Sequence, residues 1–445
     1  MVGRGRCDRR SPCLRIGATM REAVMGISCG SAADRQSSCR SALLSRFRSA
    51  VIAGVAALAL AAFSLPVARA DIPFPDDDPF YAAPADLAAR PNGALLGVRG
   101  ISVFGLPVPV SAWQLRYRTT NSAGAPTLDV ATVLVPSVPW PGARPLLAYQ
   151  VAEDSLGTRC APSFALGGGR DPGMVNTMLD VPFMAEALRR GWALVVGDYE
   201  GPHSRFFDGV TAGHAVLDGL RAARRFAPGG VGPASPLGGW GYSGGAFATL
   251  WAAQLRLDYA PEIRFAGIST GGVPADIPAI ARRVDGGPQA GLALLILLAL
   301  SRNHPDSELA TLLNARGRAA LTENATACGS DLVPKYFGAH ADDFASVPNI
   351  LSHPAFRAVT DPNELGGTAP DTPLYLYHST TDDVIPVAGF SALLNRYCAQ
   401  GATLTAVHSL FPTHNGAAIG EAFGGMNFLS DRFAGVPPTP GCSIR

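Results

Sequence analysis

Leu237-Gly238-Gly239-Trp240-Gly241-Tyr242-Ser243-Gly244-Gly245-Ala246 is the stretch that decides the fold of this chain. Its centre, Gly241 to Gly245, has the pattern G-x-S-x-G, which marks a sharp turn from a strand into a helix that lifts a serine hydroxyl above a sheet. Glycines flank such a turn because the backbone is strained there and the helix must approach the strand closely. Residues 246–257 (AFATLWAAQLRL) follow without Gly or Pro, as the helix requires. The plain alternative is a glycine-rich loop that happens to hold a serine, in a chain with 50 glycines. The rest of the sequence decides between them.

Outward from this turn, apolar runs alternate with helical patterns. Residues 145–151 (PLLAYQV) and 192–199 (WALVVGDY) read as strands buried on both faces, with a helix-like segment at 178–190 between them. An amphipathic helix at 211–226 leads into the strand before Ser243. Further strands are expected at 265–270, 373–378 and 403–410, and late helices at 393–400 and 416–432. Upstream, 112–119 and 128–136 alternate about a turn-rich segment at 121–126, which predicts an antiparallel hairpin. The class is therefore α/β, a mostly parallel sheet with helices on both faces.

One interval breaks the alternation. From 274 to 370 nothing reads as a strand, and helix-like pieces stand at 289–300 and 307–320. This predicts a helical cap inserted over the C-terminal edge of the sheet. It divides the chain into a leader (1–70), a first core part (71–273), the cap (274–370) and a second core part (371–445). Residues 290–300 (AGLALLILLAL) carry no polar side chain. That run is too short to span a bilayer, which takes roughly 20 residues, so it is expected to be buried or to face lipid.

Charge and cysteines set the compartment. Residues 1–70 hold eleven of the 36 basic residues and three of the 35 acidic ones, so the remainder carries 25 − 32 = −7, which argues against nucleic acid as a partner. Arg46 and Arg48 precede an apolar run at 50–65, and Ala68-Arg69-Ala70 offers a small-x-small cleavage pattern. Export with cleavage after Ala70 is expected, with a secreted product and no lasting transmembrane span. Beyond that site four cysteines remain, Cys160, Cys328, Cys398 and Cys442. Two disulfides are expected, and three pairings are open. No metal-ligand spacing is present, and no cofactor is implied.

A serine needs a base, and the base needs an orienting carboxylate, which in this fold follow in the order Ser, Asp or Glu, His. Asp382 and Asp383, just after the strand at 373–378, are the acid candidates. Among His378, His408 and His414, the first two fall inside expected strands, whereas His414 lies past a strand end and just before a helix, where a base belongs. One oxyanion donor is expected from the backbone N–H of Gly244, and the other from the loop at 150–155.

These motifs together resemble the secretory lipase family of actinobacteria and yeasts. The resemblance runs from Asp78-Pro79-Phe80-Tyr81 through Glu153-Asp154-Ser155, Cys160-Ala161-Pro162-Ser163 and Asp198-Tyr199-Glu200-Gly201-Pro202. It continues with Leu217-Asp218-Gly219, Arg221-Ala222-Ala223, the turn at Ser243, Tyr259-Ala260-Pro261-Glu262, Asp382 with Ile385-Pro386, His414, and Asp431-Arg432-Phe433-Ala434-Gly435. It implies an α/β-hydrolase fold with a lid and a triad of Ser243, Asp382 and His414. It also implies an oxyanion hole of Asp154 and Gly244, and disulfides Cys160–Cys328 and Cys398–Cys442. Ser379 departs from a glycine in many relatives, and Gln150-Val151-Ala152 from a His-Gly-Thr in some. The function expected is a secreted, cofactor-free hydrolase of lipid esters, working at a lipid–water interface. An acyltransferase with the same triad and a silent lipid-binding protein are the rival readings.

Overall fold

Ten strands form a single sheet in the computed structural model, which describes residues 72–169, 171 and 175–445. The leader and the expected cleavage site at Ala68-Arg69-Ala70 lie outside the described residues. In chain order the strands are β1 (Leu95–Ile101), β2 (Val110–Thr120), β3 (Pro126–Pro136), β4 (Leu146–Gln150), β5 (Ala193–Gly197), β6 (Leu237–Tyr242), β7 (Phe265–Gly271), β8 (Leu374–Ser379), β9 (Leu404–Ser409) and β10 (Cys442–Ile444). Their spatial order is β1-β2-β3-β5-β4-β6-β7-β8-β9-β10. The first three pair antiparallel and β3 meets β5 antiparallel; every pair from β5 onward is parallel.

The central strands are mostly apolar because both their faces are covered. Leu146 and Ala148 of β4, with Val195 of β5, pack into one core. Leu147 and Tyr149, with Leu194 and Val196, pack into the other. This is the alternation of a pleated strand, with each face roofed by helices. Helix α1 (Val175–Arg189) and the last helix, His414–Phe433, cover the second face through Met184, Leu188, Met426 and Leu429. Helices α2 (Gly209–Phe226) and α3 (Gly244–Tyr259) cover the first through Leu217, Leu220 and Leu250.

Between β7 and β8 the chain is helical. It includes α4 (Ile277–Val284), α5 (Ala290–Asn303), short helices at Glu308–Thr311 and Ala315–Glu323, and α6 (Gly329–Lys335). The segment expected to run as one helix over 307–320 is therefore two. Asn314 breaks it by capping the second piece, its side chain accepting from the N–H of Gly317 at 2.9 Å. No helix among the described residues is long and apolar enough to cross a membrane. The apolar run at 290–300 is instead the body of α5, buried on nearly all sides. Beyond β8 come α7 (Val387–Ala399) and α8 (His414–Phe433).

Disulfides join Cys160 to Cys328 and Cys398 to Cys442. The first ties the loop after β4 to the helical segment, where Ser155 and Cys328 also form an isolated bridge. The second fixes β10, a three-residue exposed strand, beside β9.

Candidate active site

Ser243 stands between β6 and α3 with φ 55° and ψ −125°, a backbone conformation that a non-glycine residue adopts only when its surroundings impose it. Here the N–H of Ser243 donates to the carbonyl of Gly271 at 3.0 Å, and its own carbonyl accepts from Phe247 as α3 begins. Two glycines make the turn possible. A Cβ at Gly241 would stand 2.2 Å from the carbonyl oxygen of Gly245, and one at Gly245 would stand 2.0 Å from that of Gln150. Both distances are too short for any side chain, so strand and helix close only around glycine.

His414 opens α8, two residues ahead of the expected helix start. Its Nδ1 lies 2.8 Å from Oδ2 of Asp382. Oδ1 of the same carboxylate accepts the N–H groups of Val384 and Ile385 at 2.9 and 2.8 Å. Burial would raise the Asp382 carboxyl, but hydrogen bonds from His414 and from the Ile385 backbone hold it below the usual range. An ionised carboxylate only accepts, so Nδ1 carries the proton and Nε2 is left as the acceptor.

Three further contacts fix His414. Its N–H donates to Oδ1 of Asp383 at 2.8 Å, and its carbonyl accepts the Tyr242 hydroxyl at 2.6 Å. The Tyr242 ring lies 4.9 Å from the imidazole, centroid to centroid. A Cβ at Gly272 would come 2.8 Å from the imidazole. Gly272 follows the residue that accepts from Ser243, so the imidazole and the serine sit at the same end of β6 and β7. Both aspartates weighed from the sequence thus hold His414, one by its ring and the other by its backbone.

The other two histidines do not take the place of His414. His378 is buried in β8 with its Nε2 3.6 Å from Oδ2 of Asp382, but that nitrogen donates to the carbonyl of Ile385 at 2.9 Å, and burial lowers its pKa. His408 lies in β9, with Nε2 3.5 Å from the Ser391 hydroxyl. Ser379, the departure from glycine, donates to the carbonyl of Phe411 at 2.8 Å and so pins the loop that carries His414.

The loop after β4 brings Asp154 to Ser243. Asp154 has φ 46°, and its Oδ1 would be 2.3 Å from a Cβ on Gly244. Its carbonyl accepts the N–H of Gly329 at 2.7 Å, and Leu156 donates to Ala327 at 2.8 Å, so the helical segment grips this loop. Burial pushes the Asp154 carboxyl up to about 6, against the pull of nearby His414. The amide of Gly244 is a first-turn donor of α3, without a partner inside its own helix.

Beneath the loop lies a set of buried acids that sequence reasoning noted only as part of a motif. The Ser155 hydroxyl donates to Glu200 at 2.7 Å, the N–H of Glu153 to the Tyr199 hydroxyl at 3.2 Å, and the N–H of Ser163 to Asp198 at 2.8 Å. Burial and then mutual repulsion push the Glu153 carboxyl well up, and burial raises Glu200 and Asp198. The signal was legible in principle: three consecutive polar residues, Asp198-Tyr199-Glu200, directly follow a strand with no other polar residue.

Next to Ser243 is an apolar cavity of about 30 Å³, lined among others by Asp154, Gly244, Phe207, Leu292, Ile296 and Ile385. It holds about one water, not an acyl chain. From α5 only Leu292 and Ile296 reach it, one turn apart on one face. Among the described residues no group of three or more His, Cys, Asp or Glu could hold a metal ion.

The comparisons bear on this arrangement. The secretory lipase profile matches residues 171–441. A Mycobacterium tuberculosis protein named as a probable inactive lipase is 37% identical over 375 residues, covering 82% of this chain and 84% of its own. Lipase A of Moesziomyces aphidis is 31% identical over 388 residues, covering 84% of this chain and 83% of its own. The crystal structure of Candida antarctica lipase A in its closed state superposes with a TM-score of 0.78 at 30% identity, covering 84% of this chain and 90% of that one. The fold is thus that of the α/β-hydrolases, and the chain belongs to the secretory lipase family.

Proposed function

We propose that the chain is a secreted, catalytically active serine hydrolase that cleaves carboxylic esters of lipids, acylglycerols included. The observation that carries this reading is the pairing of His414 with an ionised, doubly amide-bound Asp382 at the same end of the sheet as the strained Ser243. In this reading Ser243 Oγ attacks the acyl carbon and passes its proton to Nε2 of His414. The imidazolium returns that proton to the departing alcohol oxygen as the acyl–oxygen bond breaks. Water then adds to the acyl-serine by the same relay and releases the acid. Asp382 keeps the imidazole in the tautomer that can accept, and the N–H groups of Gly244 and Asp154 stabilise the oxyanion.

The helical segment at 274–370 acts as a cap. Its Ile280, Leu292 and Ile296 close the cavity at Ser243, so an acyl chain enters only when they move. The even number of disulfide-bonded cysteines supports an oxidising destination. The name of the mycobacterial relative favours a second reading, in which the fold persists without turnover. Hydrolysis of esters from acetate to oleate by wild type and Ser243→Ala separates the two. Turnover that disappears with the hydroxyl supports the proposal. No turnover by folded wild type supports the silent reading, and turnover that survives the substitution removes Ser243 from the chemistry.

A further inference from the structure

Four large apolar side chains stand in solvent beside the loop of His414. Leu410 is 88% exposed, Phe411 50%, Ile419 67% and Phe423 60%. Ile419 and Phe423 are one turn apart on the outer face of α8, whose inner face buries Ala417, Ala422 and Met426. Phe411 belongs to the same surface, because a Cβ at Gly420 would stand 2.2 Å from its ring. The patch is held in place rather than loose. The carbonyl of Phe411 accepts from Ser379, and Thr413 caps α8 by accepting the N–H of Gly416 at 3.1 Å. A clustered apolar surface of this kind marks a binding face rather than ordinary exposure.

Charge selects the partner. Between Leu410 and Asn427 the only ionisable side chains are His414 and Glu421, and no Lys or Arg stands there. The cation that reaches this part of the fold is Arg445, beside Tyr375, which also faces Glu421 and touches α8 at Gly424; with Glu421 and Asp383 nearby the surface has no excess of positive charge to draw anionic headgroups. The complementary partner is an uncharged lipid–water interface. We infer that Leu410, Phe411, Ile419 and Phe423 form the face by which the protein docks on neutral acylglycerol, setting the lipid phase beside His414. The inference rests on the ester-hydrolase reading for its choice of lipid as occupant.

The test is flotation of the full secreted chain with a triolein emulsion, with phosphatidylcholine vesicles and with phosphatidylglycerol vesicles. The variants are the triple Leu410→Gln, Ile419→Gln, Phe423→Gln and, as controls, Val138→Gln and Phe337→Gln. Val138 and Phe337 are exposed too, but lie after β3 and in the helical segment. The triple variant should lose at least tenfold in binding to triolein and keep butyrate-ester hydrolysis in solution within twofold. Wild type should bind phosphatidylglycerol no better than phosphatidylcholine. Unchanged triolein binding in the triple variant overturns the inference, as does loss that follows Phe337→Gln instead. Preference for the anionic vesicles also overturns it, and so does a wild-type dimer that the triple variant dissociates, which would make the face a contact between copies. If wild type floats through this face yet hydrolyses no ester, the docking surface stands and the hydrolase reading fails.

Discussion

Removing the Cys160–Cys328 disulfide by a double Cys→Ser substitution should damage both stability and turnover, and the two effects can be separated. The bridge closes a loop of 168 residues. In the chain-entropy treatment a loop of that size restricts the unfolded chain by about 5 kcal/mol, against about 4 kcal/mol for the 44-residue loop closed by Cys398–Cys442. These are ceilings, since strain and residual structure reduce them. The sites differ more than the loops do. The first bridge sits where Gly329 donates to the Asp154 carbonyl and Leu156 to Ala327, so it fixes the loop that carries the proposed oxyanion donor. The second fixes only an exposed edge strand. A displacement of about 1 Å at a positioned group costs up to about a hundredfold in rate. We therefore expect the Cys160/Cys328 variant to lose tenfold or more in kcat on a soluble butyrate ester at a temperature where it is still folded. The Cys398/Cys442 variant should lose stability with kcat within twofold of wild type. Guanidinium unfolding and initial rates on the same preparations provide the comparison. A first variant with wild-type kcat, or two variants with equal kcat losses, would refute the positioning argument.

Asp383→Ala should reduce kcat about tenfold by freeing the backbone of His414, whereas Asp382→Asn should cost about 10⁴-fold by permitting the wrong tautomer; equal losses would contradict the division of labour. Leu292→Ser and Ile296→Ser should depress hydrolysis of long-chain esters more than of acetate, while Leu294→Ser, fully buried away from the cavity, should lower thermal stability at every chain length; scanning fluorimetry beside a chain-length series reads both. Burial pushes Asp198 up to about 7 and Glu200 up to about 8, with Glu153 raised as well. The folded state therefore binds more protons than the unfolded one from about pH 4 to pH 8, and unfolding midpoints should fall as pH rises through that window. Asp382 works the other way, since its lowered pKa gives stability that is present above about pH 4 and lost as pH drops through the folded value. Glu153→Gln should flatten that decline, and an unchanged slope would place the proton elsewhere.

What could be read in the sequence follows from where its physics is local. The central strands were legible because burial on both faces leaves mostly apolar residues, as in residues 146–149 and 193–197. β1 was not, because Gly97, Arg99 and Gly100 interrupt any alternation on a partly exposed edge. β10 is three exposed residues, too short to carry an alternation, and exists by pairing with β9 beside a disulfide. Helix α7 begins at Val387, well before the expected 393, because Gly389 hid its first turn. At the site, the turn around Ser243 was legible because its glycines are dictated by contacts within a few residues and with Gln150. The residue pattern left Asp382 and Asp383 open and the family resemblance implied Asp382; in the fold both reach His414, Asp382 at the ring and Asp383 at the backbone N–H. The polar run Asp198-Tyr199-Glu200 after an apolar strand marks a buried polar site, but its partners Ser155 and Glu153 lie some 45 residues away, so the pairing itself is not legible locally. The apolar helix at 290–303 was visible, but not which of its faces meets the cavity.

The reactivity of one hydroxyl, that of Ser243, separates a working site from a silent one. Incubating the folded protein with a fluorophosphonate and mapping the adduct by peptide mass spectrometry measures it. Stoichiometric labelling at Ser243 is expected, with loss of ester hydrolysis in step, and neither labelling nor hydrolysis in Ser243→Ala. A folded wild-type protein that takes up no label, or takes it at another residue, would contradict the claim that Ser243 is an activated nucleophile.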